Sequence, residues 1–113
     1  MKYYIDIDKR DKYTGFCELD ARHYYDEPIK AYTAFMKLCG MNPDHMTLRT
    51  VDGNFHGLIA EYFKGDKSPY WFTNYDSYKL FSAELNIEPA REQLEREKAE
   101  FLKRFPTFVG YIV

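Results

Sequence analysis

The sequence predicts an α+β domain: an antiparallel or mixed sheet of about five strands, arranged in hairpins and backed by two or three helices. Three observations carry this. Residues 3–8 and 17–22 alternate apolar and polar with a period of two, the pattern of half-buried strands. Asp52-Gly53 sits between two strand-like runs and is a hairpin signal whose central positions favour positive φ. Ile29, Tyr32, Met36 and Cys39, and later Leu94, Phe101, Leu102 and Phe105, form apolar stripes at helical spacing.

The elements follow in order. Tyr3, Ile5 and Ile7 alternate with Tyr4, Asp6 and Asp8 in a first strand. A charged turn from Lys9 runs on to Thr14-Gly15. Cys17, Leu19 and Ala21 then alternate with Glu18, Asp20 and Arg22 in a second strand. A helix begins near Asp26, with Pro28 in its first turn, where a missing N–H costs nothing. Phe35 and Leu38 flank its apolar stripe, and Gly40 is expected to end it as a left-handed cap. Met46, Leu48 and Thr50 mark a third strand. A fourth runs from Phe55 to about Phe63, and a polar tip over 64–69 leads to a short fifth strand over 70–73. Tyr78, Phe81 and Leu85 share one face of a short helix capped by Asp76 or Ser77, although the same stretch also reads as a strand through Leu80. Glu88-Pro89 opens the last helix, acidic early and basic late in agreement with its dipole. Pro106 stops it, and 107–113 are expected to form a final strand. The predicted order is β-β-α-β-β-β-α-α-β.

A length of 113 residues predicts a single domain over 1–113, large enough to fold without disulfides or a structural metal. Sixteen basic and eighteen acidic residues give a net charge of -2, which does not advertise a broad phosphate-binding surface. The first residues show no apolar signal core, and no run reaches the ~18 apolar residues of a membrane span. A cytoplasmic protein with reduced thiols is expected. Of the two cysteines, Cys17 and Cys39, the second falls on an apolar helix face and is expected to be a buried, inert thiol.

Aromatic residues make up 19% of the chain, with eleven Tyr, nine Phe and one Trp. Tyr carries a hydroxyl that needs a partner when buried, so this load points to contact surfaces rather than catalysis. Tyr70-Trp71-Phe72-Thr73-Asn74-Tyr75, entered from Lys64, Lys67 and Pro69, is either a protein-binding centre or a base-stacking platform. Alternation gives Trp71 a face shared with Thr73 and apart from Tyr70 and Phe72, and Trp71 is expected to be a partner anchor, with Tyr70 and Tyr75 beside it. A second candidate is acidic. Asp6 and Asp8 share one strand face, and Glu18 and Asp20 share a face of the next. In the right register they form a four-carboxylate patch that steers association with a basic target or holds a divalent cation. The bland reading is a solvated face of an amphipathic hairpin, partly neutralised by Lys2 and Arg22.

Enzyme signatures are missing. His23, His45 and His56 show no metal-ligand spacing, and neither cysteine forms a CxxC pair. Ser68, Ser77 and Ser82 lack a nucleophile-elbow context, and no glycine-rich phosphate loop occurs. No cofactor and no catalytic residue is expected.

The opening Met1-Lys2-Tyr3-Tyr4-Ile5-Asp6-Ile7-Asp8, the acidic hairpin and the cluster from Tyr70 to Tyr75 give the chain the style of small phage and conjugative-element proteins of Gram-positive bacteria. In this it resembles type II anti-CRISPR proteins. That resemblance implies an inhibitor of a host nuclease or of its guide-RNA assembly. The net charge of -2 departs from the strongly acidic, DNA-mimicking members. The expected function is therefore non-enzymatic: an inhibitor or adaptor that occludes a surface of a larger protein or ribonucleoprotein. Direct nucleic-acid binding is the second reading, and a small metal-dependent enzyme on the carboxylate patch is the third.

Overall fold

Period-two patterning decides which side of each strand meets the helices. The computed structural model describes residues 2–106. Its elements are β1 (Lys2–Arg10), β2 (Cys17–Tyr25), α1 (Pro28–Cys39), β3 (His45–Asp52), β4 (Phe55–Phe63), β5 (Tyr70–Trp71), α2 (Asp76–Leu85) and α3 (Arg91–Arg104). The strands form one antiparallel sheet in the order β2-β1-β3-β4-β5. This is the expected α+β architecture in the expected order. The final strand expected over 107–113 lies outside the described residues.

Directly paired residues share a face of a sheet, so the register sorts the side chains. Ile5 pairs with Leu48 on β3, and Leu48 with Ala60 on β4. Ile7, Met46 and Tyr62 form a parallel row. These residues join Phe35 of α1 and Phe81 of α2 in the apolar core. The other face carries Tyr4, Asp6 and Asp8 of β1, and His45, Thr47 and Arg49 of β3. None of these six joins that helix-side cluster, although Tyr4 and Thr47 are themselves buried. α1 lies against β1 and carries the chain from β2 to β3, while α2 packs on β4. Among the described residues, no helix packs on the second face.

Trp71 is the hub of the core. Its ring stacks on Phe81 at 6.3 Å and meets Phe35 edge-on at 5.9 Å. Tyr32 and Tyr78 lie at 6.0 and 6.2 Å. It is 3% exposed, so the expected partner anchor is a core residue. The reason is register: Trp71 pairs with Ala60 on the helix-covered side, whereas Tyr70 pairs with Glu61 on the open side.

Several local expectations are corrected. On α1 the buried stripe is Ala31, Phe35 and Cys39, and Ile29 and Met36 are exposed. Both sets have helical spacing, and packing against β1 selects the one with the small Ala31. Gly40 is right-handed at φ -64, and Asn42, at φ 54, makes the left-handed turn two residues later. Asp52 pairs with Phe55, which leaves Gly53-Asn54 as the two-residue loop. Only Gly53 of that pair has positive φ, at 59. α2 is a helix throughout 76–85 and begins after Tyr75. α3 starts two residues beyond Pro89 and buries only Gln93. Cys39 is buried as expected, and burial pushes its thiol up to about 12, far from reactivity.

Candidate interaction face and cleft

The open sheet face is built from the polar half of each strand's alternation. Near the β2 edge, Arg22 grips Asp6 with two bonds, Nε to Oδ1 at 2.6 Å and Nη2 to Oδ2 at 2.9 Å. Its guanidinium also lies 4.8 Å above the centre of the Tyr4 ring. Tyr24 packs beside Tyr4 with ring centres 5.8 Å apart. The Tyr4 hydroxyl reaches His56 Nδ1 at 3.1 Å. Burial raises the Tyr4 phenol above its usual pKa, with Arg49 and Arg22 offsetting part of the rise. The phenol stays neutral and supports the face as a hydrogen-bonding post.

A second cluster crosses three strands. His45 on β3 reaches Asp8 on β1 through Nδ1 at 2.6 Å and Glu61 on β4 through Nε2 at 2.9 Å. Phe63 covers the imidazole at 4.8 Å. Ionised carboxylates only accept hydrogen bonds, so both ring nitrogens carry protons when both bonds are made. Burial pulls the imidazole's pKa down, and the bonds to Glu61 and Asp8 outweigh it, leaving the value raised. With both nitrogens occupied, His45 has no free lone pair for general-base work. It is a brace.

The third feature is a cleft of about 550 Å³ beside β4, lined by Arg49, Phe55, His56, Leu58, Asn74 and Tyr75, with Gly57, Asp76 and Ser77 completing it. It exists because β5 pairs only with Ala60 and Glu61, leaving the first half of β4 without a strand on that side. The start of α2 closes over it: the Ser77 hydroxyl donates to the Leu58 carbonyl. That approach needs Gly57, where an added Cβ would lie 2.5 Å from the Ser77 Cβ and 3.1 Å from the Phe55 ring.

The expected acidic patch does not assemble. A bulge between Ile7 and Asp8 shifts the hairpin register, so Asp8 faces Leu19 and Glu18 faces Lys9. Asp20 is the extra residue. Two carboxylates of the open face, Asp6 and Asp8, are engaged by Arg22 and His45, and Glu18 falls on the opposite side. Among the described residues, no three His, Cys, Asp or Glu side chains converge as metal ligands do. The carboxylates flanking His45 lie on opposite sides of the ring and share no point.

Other expected site residues are dispersed. Tyr70 is 51% exposed on the open face, in edge contact with Phe72 at 5.1 Å. Tyr75 is 49% exposed at the cleft wall. Lys64 lies 3.7 Å from Asp44, and Lys67 is exposed in the tip. Sequence reasoning missed Arg49, His45, His56, Tyr4 and Tyr24. One signal was present: in β3, His45, Thr47 and Arg49 alternate with Met46, Leu48 and Thr50, which marks a two-faced central strand.

No family model matches the chain, and neither does any curated protein or any solved structure. No helix among the described residues is long and apolar enough to cross a membrane.

Proposed function

We propose that this is a non-enzymatic binding protein whose open sheet face docks on a larger protein and occludes it. One observation carries the reading: helices cover one side of a five-stranded sheet, and the other side remains uncovered among the described residues. That side combines exposed Tyr24, Phe63 and Tyr70 with arginine and mixed charge. Tyr and Arg are the residues enriched at the energetic centres of protein interfaces. The charges are largely paired within the face, as Arg22 with Asp6 and His45 with Asp8 and Glu61. Such a surface matches a protein of mixed charge better than a continuous row of phosphates.

Size-exclusion chromatography of the chain with candidate targets tests this. The resemblance to phage inhibitors adds one target to include, a type II nuclease with and without its guide RNA. A complex that forms without nucleic acid and weakens only modestly with salt supports protein docking. Binding to single-stranded RNA alone, falling steeply with salt, would replace it by the nucleic-acid reading, in which the same exposed aromatics stack on bases.

A further inference from the structure

We infer that the cleft beside β4 seats an acidic side chain, a Glu or Asp carboxylate carried by the protein that docks on the sheet face; this rests on the docking reading above. Arg49 is the reason. It is partly buried in the middle of the sheet, and its Nε donates to the Thr47 hydroxyl at 3.3 Å. That bond orients the guanidinium and leaves its terminal nitrogens for another acceptor. Among the described residues, no carboxylate stands within ion-pair distance of Arg49, whereas Arg22 is held by two bonds to the Asp6 carboxylate. A half-buried cation with no counter-charge is a cost that an incoming anion removes.

The surroundings select a carboxylate. The cleft, about 550 Å³, accepts a side chain with its flanking backbone. His56 uses Nδ1 on Tyr4, which leaves Nε2 for a ligand, and Asn74 adds an amide to the lining. Phe55, Leu58 and Tyr75 provide apolar contact for the methylenes of Glu or Asp. A guanidinium fork matches the planar carboxylate with two parallel bonds. Asp76 lines the same cleft and repels a doubly charged phosphate more strongly than the single charge of a carboxylate.

The test is a titration of the whole chain, observed by nitrogen-15 NMR that includes the arginine Nε–H signals. The probes are N-acetylglutamate amide, N-acetylglutamine amide and inorganic phosphate, taken into the millimolar range expected of one buried contact. The inference predicts saturable shifts at Arg49, Asn74 and Tyr75 with the glutamate probe. It predicts none of that pattern with the glutamine probe, and about a tenfold loss of affinity in Arg49→Gln, with Arg49→Lys, which keeps the charge but not the fork, between the two. Equal shifts with glutamine, tighter binding of phosphate, or no saturable shift would overturn it. The docking reading fails differently, through loss of the complex itself being insensitive to changes on the sheet face.

Discussion

The side-chain amide of Gln93 pairs with both backbone groups of Trp71. The Trp71 N–H donates to Gln93 Oε1 at 2.8 Å, and Gln93 Nε2 donates to the Trp71 carbonyl at 3.2 Å. One side chain of α3 thus does what a further strand would do for the two-residue edge β5. It also explains why Gln93 is the one fully buried residue of α3. Gln93→Ala strands the buried Trp71 N–H, while the Trp71 carbonyl keeps the Thr73 N–H at 2.9 Å; an orphaned buried donor costs about 1–3 kcal/mol. Urea unfolding of the variant measures the loss, and an unchanged midpoint would contradict this role.

Trp71→Ala removes the ring on which Phe81, Phe35, Tyr32 and Tyr78 converge. The expected loss is about 3–5 kcal/mol, a large part of a small domain's stability. Denaturant melts beside the wild type check it. A loss below about 1 kcal/mol would return Trp71 to the surface role that strand alternation first assigned it.

Gly57→Ala drives a methyl group into the start of α2, 2.5 Å from the Ser77 Cβ. Overpacking of this kind costs about 1–3 kcal/mol. The variant is expected to melt earlier and to lose amide-exchange protection first at Lys79, whose N–H opens the helix on the Tyr75 carbonyl at 3.1 Å. Uniform loss across the sheet would show that the contact at Gly57 is not what seats α2.

His45 links stability to pH. Its pKa is raised in the fold above the ordinary 6.5 because Glu61 and Asp8 together outweigh burial. A raised value means the folded state holds the proton more tightly. The stabilisation is complete below about 6.5 and disappears as pH rises through the folded value. Unfolding free energy should therefore decline as pH rises from the ordinary imidazole value through the raised folded one, and His45→Gln should flatten that decline. Parallel slopes for both proteins would refute the brace.

Strand existence and order were legible because alternation writes itself directly into sequence. The hairpin register was not, since a single extra residue, Asp20, moves Leu19 opposite Asp8 and Glu18 opposite Lys9. Trp71 misled for a related reason. Period two separates Tyr70 from Trp71 but does not say which of them faces the helices; only pairing with Ala60 and Glu61 decides that. The cleft was invisible in sequence. It depends on β5 stopping after two residues, on Gly57 admitting α2 and on Arg49 and His56 sharing one face of the paired strands β3 and β4, none of which is a local pattern. Asp6 and Asp8 were placed on the correct face, and their partners Arg22 and His45 came from strands whose offset only the fold reveals.

The most direct test of the central claim compares two matched double variants in one capture experiment. Tyr24→Ser with Tyr70→Ser removes exposed rings from the open sheet face, and Ile29→Ser with Met41→Ser removes exposed apolar side chains from the helix side. All four residues are about half exposed or more, so both proteins should stay folded, as thermal melts will verify. Tagged wild type and variants are passed over host extract, and bound proteins are compared by mass spectrometry. The sheet-face variant should lose the partner recovered with wild type, by about tenfold or more, while the helix-side variant keeps it. Retention by the sheet-face variant, or loss by the helix-side variant, would contradict docking through the open face.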